Sequence, residues 1–171
     1  MEIVLETERL YLRKLCESDF MALSSIIRDE ETMYAYGGAL SETEAREWLE
    51  RQLKRYELYG FGAWAVILKS NGELIGQCGV TMQPWKGKEV PEIGYIFGRK
   101  YWHNGYATEA AAACKEYAFN TLNFGEVCSI IRDINTPSER VALRLGMTKF
   151  DSAIKYYRGI VMPHNRFIIK K

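Results

Sequence analysis

The sequence predicts an α/β (α+β) domain built on a mixed, twisted β-sheet of about six or seven strands with about four helices. Three observations predict it. Apolar residues recur at alternate positions in some segments and at helical spacing in others, in the order β-α-α-β-β-β-α-β-α-β-β. A helical stretch joins strand-like runs at 91–97 and 126–134, which makes those two strands parallel neighbours in a sheet whose hairpins are antiparallel. The chain has 171 residues, 47% apolar and 26% charged, enough to bury a real core as one domain over 1–171.

Arg9 to Arg13 alternates polar and apolar residues, as a half-buried strand does. Ser18 to Arg28 carries Phe20, Leu23, Ile26 and Ile27 at helical spacing, and Asp29 to Gly38 is a loop. Ser41-Glu42-Thr43-Glu44 has the form of a capping box. The helix it opens has Ala45, Trp48, Leu49, Leu53 and Tyr56 on one face, with Glu47/Arg51 and Glu50/Lys54 spaced for i,i+4 pairs on the other. Ala63–Leu68 and Glu73–Met82 read as strands joined at Asn71-Gly72, a two-residue hairpin signal. Pro84 to Lys88 reads as a loop, Pro91–Phe97 as a strand, and Gly98–Gly105 as irregular. Thr108–Thr121 is Ala-rich and helical, and Glu126–Ile134 is a Val- and Ile-rich strand. Thr136-Pro137-Ser138-Glu139 has the form of a second capping box, and its short helix stops at Gly146. Strands near Thr148–Tyr157 and Arg166–Lys170 finish the chain.

Lys and Arg number 23 and Asp and Glu 22, for a net charge of +1, so nothing points to nucleic acid or a membrane surface. No apolar run is long enough to span a bilayer and no signal-peptide pattern opens the chain, so a cytoplasmic location is expected. Cys16, Cys78, Cys114 and Cys128 form no Cys-x-x-Cys and the only histidines are His103 and His164, so no metal site is expected. Each cysteine lies beside apolar residues and reads as a buried free thiol.

The stretch from Glu92 to Ala110 is a strand, a loop containing Gly105 and the start of a helix. A helix N-terminus presents unpaired N–H groups and about half a positive charge, and so favours a phosphate. Gly105 and Ala107 would let a pyrophosphate reach the backbone, and Thr108 adds a hydroxyl in the first turn. Neither a Walker loop nor a Rossmann glycine fingerprint is present.

Trp102-His103-Asn104-Gly105-Tyr106-Ala107 resembles the acetyl-CoA loop of the GNAT N-acetyltransferases, Gln/Arg-x-x-Gly-x-Gly/Ala. Thr7-Glu8-Arg9-Leu10, Glu92-Ile93-Gly94-Tyr95, Tyr101-Trp102, Gly105 to Ala110 and Asn135-Thr136-Pro137-Ser138 with Leu145-Gly146 are similar to its RimJ/RimL-type branch, ribosomal-protein-alanine N-acetyltransferases among them. Trp102 and His103 depart from the usual loop, where Gln or Arg and a small residue stand.

The resemblance implies a set of roles. Residues 102–108 take the phosphates, and the backbone of Ile96 and Phe97 pairs with the pantetheine arm. The Asn135 amide and Ser138 meet coenzyme A, although each residue also suits capping and the first turn of the following helix. Glu92 is either a solvated edge residue or, by resemblance, a general base acting directly or through water. The Tyr that many relatives place seven residues after the Asn is Ala142 here. Tyr34, Tyr36, Trp85, Tyr156 and Tyr157 fall in segments that border the acceptor cleft in the family, although aromatics equally suit ordinary core; His164 reads as lying between the last two strands, where an acceptor-site role is open to it.

The implied reaction is acetyl transfer from acetyl-CoA to a primary amine by direct attack in a ternary complex, with no metal. A protein N-terminal α-amine is favoured. A small amine (polyamine, amino sugar or antibiotic) is the alternative acceptor, and a coenzyme A-binding sensor the alternative from another class.

Overall fold

The computed structural model of the protein describes residues 2–171. Its strands are β1 (Ile3–Glu6), β2 (Leu10–Arg13), β3 (Ala63–Leu68), β4 (Leu74–Trp85), β5 (Lys88–Phe97), β6 (Glu126–Arg132), β7 (Thr148–Tyr157) and β8 (Ile160–Lys170). Its helices are α1 (Phe20–Ile27), α2 (Glu42–Tyr59), α3 (Tyr106–Asn120) and α4 (Thr136–Arg144). Among the described residues the strands form one sheet in the order β1-β2-β3-β4-β5-β6-β8-β7. Every neighbouring pair is antiparallel except β5 and β6, which are parallel, as the intervening helix requires.

The sheet therefore has eight strands rather than six or seven. The extra one is β1, an edge strand with a bulge between Ile3 and Leu5. Its Ile3-Val4-Leu5 run does not alternate, so period alone gives it no strand signature. The expected loop at 84–88 is instead a continuous hairpin whose turn is only Lys86-Gly87, with φ of 48° and 77°. Two left-handed central residues match the twist of a two-residue hairpin turn. The amide of Gly98 donates to Ile75, which fixes the phase of the β4–β5 ladder. Pro84 and Pro91, opposite Glu89 and Met82, then fall at non-hydrogen-bonded positions, where a missing N–H costs nothing to that pairing.

Other boundaries shift for local reasons. The β3–β4 connection spans Lys69–Glu73 rather than two residues, closed by the Leu68 amide donating to the Glu73 carbonyl. The box at Ser41 forms as read: Glu44 N donates to Ser41 Oγ at 3.2 Å and Ser41 N to Glu44 Oε2 at 2.7 Å. At α4 the cap is Asn135 rather than Thr136. The i,i+4 ion pair that forms on α2 is Arg46–Glu42 at 3.0 Å; Arg51 lies instead over the Trp48 ring, 5.6 Å from its centroid. Strand β8 begins at Ile160, so His164 lies inside it rather than between the last two strands.

Two apolar layers sandwich the sheet. On one side Leu10, Leu12, Trp64, Val80, Ile93 and Phe97 pack against Ala110, Ala111, Cys114 and Ala118 of α3, with Val141 and Ala142 of α4. On the other, Ala65, Ile67 and Ile96 pack against Leu23 and Ile27 of α1 and Ala45 and Leu49 of α2. Each large side chain fully buried in these layers contributes roughly 1.5–3 kcal/mol. The small residues of α3 bring that helix, and its N-terminus, close against the C-terminal end of β5.

Candidate active site

Strands β5 and β6 are in register at a single pair, Glu92 opposite Cys128, and then part. The root of the splay is closed by side chains in place of ladder bonds. Ser129 Oγ donates to the Ile93 carbonyl at 2.8 Å, and Ile130 N donates to Glu92 Oε1 at 3.1 Å. The phase of the β4–β5 ladder decides which backbone groups face the opening. Glu92, Gly94 and Ile96 turn theirs toward β4, so Ile93, Tyr95 and Phe97 turn theirs toward the splay. The Phe97 carbonyl is taken by Trp102 Nε1 at 2.8 Å. The backbone expected of Ile96 and Phe97 is thus offered by Tyr95 and the Phe97 amide, because Ile96 is committed to Gln77. Alternation within 91–97 cannot show this phase; the register with β4 sets it.

At the C-terminal end of β5 a 3-10 turn, Arg99–Tyr101, leads through Trp102 to His103 and Gly105, both left-handed with φ of 62° and 80°. Gly105 is the N-cap of α3 and supplies no side chain to cap it, so the amides of Tyr106, Ala107 and Thr108 point out of the helix end without a capping side chain. Asn104 does not face the cleft beside this turn: its Nδ2 bonds the carbonyls of Tyr101 and Trp102 and stiffens the loop. Arg9 clamps the same turn from the chain's beginning. It meets Glu109 Oε2 at 2.7 Å, donates to the Asn104 carbonyl at 3.0 Å and lies 4.5 Å from the Tyr106 ring centroid. Thr7 Oγ1 adds a 2.6 Å bond to Glu109. Glu109 sits in the first turn of α3, so pairing it with Arg9 offsets a negative charge that would oppose an anion there.

Across the splay, Asn135 Oδ1 accepts from Ser138 N at 3.3 Å and from the Tyr34 hydroxyl at 3.0 Å. Asn135 therefore caps α4, and its Nδ2 makes no hydrogen bond among the described residues. The Tyr95 hydroxyl donates to the Ser138 carbonyl at 2.7 Å and ties α4 to β5 across the gap. Ala142 is wholly buried in the core and lines neither cleft.

Two clefts flank the splay and share Tyr36, Tyr95, Ile96, Asn135 and Ser138 as a common wall. One, of about 810 Å³, runs along Phe97, Trp102, His103 and Gly105 to Thr108. The other, of about 520 Å³, lies toward α2 and is lined by Glu92, Trp48, Arg55, Gln77, Lys155 and His164 among others. Glu92 is half-buried there rather than at a solvated edge. Burial pushes its carboxyl above the usual carboxylate range, while Lys155, the Ile130 amide and Arg55 oppose the rise. Tyr36, Tyr156 and Tyr157 line this second cleft, and Tyr34 lines the first. Trp85 lines neither: it is buried at 4% exposure, with Nε1 bonded to Asp151. His164 Nδ1 lies 2.9 Å from the Met162 carbonyl, and burial lowers its pKa.

All four cysteines are free, and Cys78, Cys114 and Cys128 are buried while Cys16 is only partly so. Burial pushes the Cys114 and Cys128 thiols up, with Cys78 adding to the first and Glu92 to the second. Among the described residues no group of three His, Cys, Asp or Glu is placed to hold a metal ion, and no helix is long and apolar enough to cross a membrane.

Residues 9–148 match the family model described as an acetyltransferase (GNAT) domain. An uncharacterized protein of Bacillus subtilis, YkkB, is 38% identical over 159 residues, 92% of each chain. The crystal structure of an acetyltransferase from Agrobacterium tumefaciens superposes with a TM-score of 0.83 at 29% identity, over 98% of this chain and 94% of that one. The ribosomal-protein-S5-alanine acetyltransferase of Vibrio fischeri shares the fold, with a TM-score of 0.79 at 19% identity over 99% of this chain and 97% of that one.

Proposed function

The chain belongs to the GNAT acetyltransferase family and is an acetyl-CoA-dependent N-acetyltransferase; we propose that its acceptor is a protein N-terminal α-amine, which attacks the thioester directly in a ternary complex. The observation that carries this reading is the half-buried Glu92 carboxylate at the root of a splay where two clefts meet.

The first cleft suits coenzyme A. The uncapped amides of Tyr106, Ala107 and Thr108, with Gly105 leaving the approach open, offer N–H donors and a helix dipole to the phosphates. The Trp102 and His103 side chains wall the loop. The Tyr95 backbone and the Phe97 amide are free to pair with an extended arm, Asn135 Nδ2 can donate to one of its carbonyls, and the Ser138 hydroxyl lies beside it. When bound, the donor presents its acetyl group as a thioester.

The second cleft receives the amine. Glu92 takes the proton that leaves nitrogen, directly or through one water. A carboxylate held above its ordinary pKa is a better base, and the Ile130 amide, Lys155 and Arg55 partly offset the rise that burial causes. An α-amine has a pKa of about 7.8, so neutralising it at pH 7 costs about 1 kcal/mol; a lysine amine, near 10.4, costs about 4.6 kcal/mol. One carboxylate is adequate for the first and strained by the second. With Ala142 in the helix, the departing thiol leaves as thiolate, which a pKa of about 8.5 allows.

The acceptor assignment is tested by incubating acetyl-CoA with a peptide bearing a free N-terminus, the same peptide N-blocked with one lysine, and a polyamine, following coenzyme A thiol and product mass. Acetylation of the free N-terminus ahead of both others is expected. Turnover of the polyamine alone would move the acceptor to small amines.

A further inference from the structure

We propose that the acceptor carries a carboxylate close to its amine, and that Arg55 and Lys155 hold that carboxylate while Glu92 faces the nitrogen. This rests on the about 520 Å³ cleft being the acceptor site, as proposed above.

The charges lining that cleft do not balance. Arg158 is matched: Nε lies 3.3 Å from Glu44, and its guanidinium donates to the carbonyls of Gly37, Gly38 and Ala39. Arg55 and Lys155 have no carboxylate within ion-pair distance among the described residues; the side-chain bond Arg55 makes is to the neutral Gln52 Oε1 at 3.0 Å. Arg51, at the mouth, is likewise without one. A fourth cation makes the point independently. Arg132 donates through Nη1 to the carbonyls of Tyr34 and Ala35, but its Nε is buried with no partner among the described residues. A buried N–H left without an acceptor costs about 1–3 kcal/mol, more on a charged group. Against these stand Glu47, exposed at the rim, and Glu92, whose carboxylate the amine requires.

A cleft with this surplus repels an acceptor that is only cationic, which sets polyamines aside. It complements an acceptor with an ammonium group toward Glu92 and an anion toward the cations. Arg55 lies on α2 and Lys155 on β7, both line the cleft with Glu92, and both charges act on its carboxyl. An acceptor that meets all three in this one cleft carries its amine and its anion on the same small segment. An acidic side chain at the first or second residue of a polypeptide meets this, and so does the α-carboxylate of a free amino acid.

The test uses two pairs that differ by one charge: peptides beginning Ser-Asp and Ser-Asn, and alanine and alaninamide. In the wild-type protein, kcat/KM for the anionic member of at least one pair should exceed that of its neutral partner tenfold or more, and the pair that responds identifies the source of the carboxylate. In Arg55→Gln and, separately, Lys155→Gln the ratio should fall toward one, chiefly through KM. Either variant alone serves if the other does not fold. Ratios near one in the wild type, or unchanged ratios in both variants, would overturn the proposal while leaving N-acetyl transfer in place. Failure of all four amines to react, with acetyl-CoA still bound by calorimetry, would overturn the proposal together with the α-amine reading beneath it.

Discussion

Burial raises the pKa of the Cys114 and Cys128 thiols and of the Glu92 carboxyl, with different consequences for each. For Cys114 and Cys128 it raises the thiol pKa, so neither supplies a thiolate near neutral pH. For Glu92 it raises the carboxyl above the usual carboxylate range against the opposing pull of the Ile130 amide and two nearby cations, which suits the proposed base. Direct attack needs the carboxylate and none of the thiols. Replacing Cys16, Cys78, Cys114 and Cys128 together by Ala or Ser should therefore leave turnover within about tenfold of wild type, the range of indirect packing effects rather than of a lost nucleophile. Rapid-quench kinetics checks this: a burst of acetyl-enzyme that vanishes with one cysteine would contradict it. At this scale much was legible. Glu92 stands out in Pro91–Phe97 as the one carboxylate of a buried strand. Tyr95 was not legible, because its hydroxyl works across 43 residues of sequence on the Ser138 carbonyl. No local spacing announces such a contact.

The strand–loop–helix unit carries the proposed anion site, and Gly105 carries the unit. Its φ of 80° is a conformation that a side chain adopts at a cost of about 1–2 kcal/mol. A Cβ there would meet Arg9 Nη2 at 3.5 Å, an ordinary contact, so the fold tolerates Gly105→Ala apart from that backbone cost. Gly105→Val adds a branch over the open amides of α3. Calorimetry should show acetyl-CoA affinity lower by at least tenfold, about 1.4 kcal/mol, in a variant whose circular dichroism is unchanged. Unaltered affinity would remove the phosphates from this helix end. The element was legible from Gly105, Ala107 and the Ala-rich run after them, since small residues at a helix start are a local signal. The β4–β5 hairpin was not, because Pro84 and Pro91 look like breakers until the ladder phase puts both at non-hydrogen-bonded positions. For the same reason the splay-facing backbone moved from Ile96 to Tyr95.

Across the whole molecule, the β4–β5 hairpin and the β7–β8 hairpin are locked by one carboxylate. Asp151 accepts from Arg166 Nε at 2.8 Å, Lys86 Nζ at 3.0 Å and Trp85 Nε1 at 3.1 Å. Burial alone would raise its pKa, but the bonds from Arg166, Lys86 and Trp85 outweigh it and hold the carboxyl at about 2, below its ordinary 3.8. A depressed carboxylate pKa contributes stability that is full above about pH 4 and lost as pH falls toward 2. Asp151→Asn should lower Tm by a few degrees at pH 7, with the deficit closing near pH 2. Calorimetric scans at both pH values check this, and a constant deficit would show that packing rather than charge is lost. The lock explains why Trp85, grouped with the cleft aromatics by its place in the chain, is instead a wall of the hairpin junction. The eighth strand has no local signature for a comparable reason: β1 is ordered by pairing with β2 and not by any pattern of its own.

The account turns on Glu92 relaying the amine proton where the two clefts meet, and a pH–rate series tests that most directly. With a peptide α-amine as acceptor, saturating acetyl-CoA and chemistry rate-limiting, Glu92→Gln should lower kcat by about 10²-fold or more at pH 7. Acetyl-CoA affinity should stay close to wild type. By about pH 9 the rate should be nearly restored, because an amine of pKa about 7.8 is then neutral without help. A Glu92→Gln variant that keeps the wild-type kcat from pH 6 to 9 under those conditions would contradict the central claim and make Glu92 only the partner of the Ile130 amide.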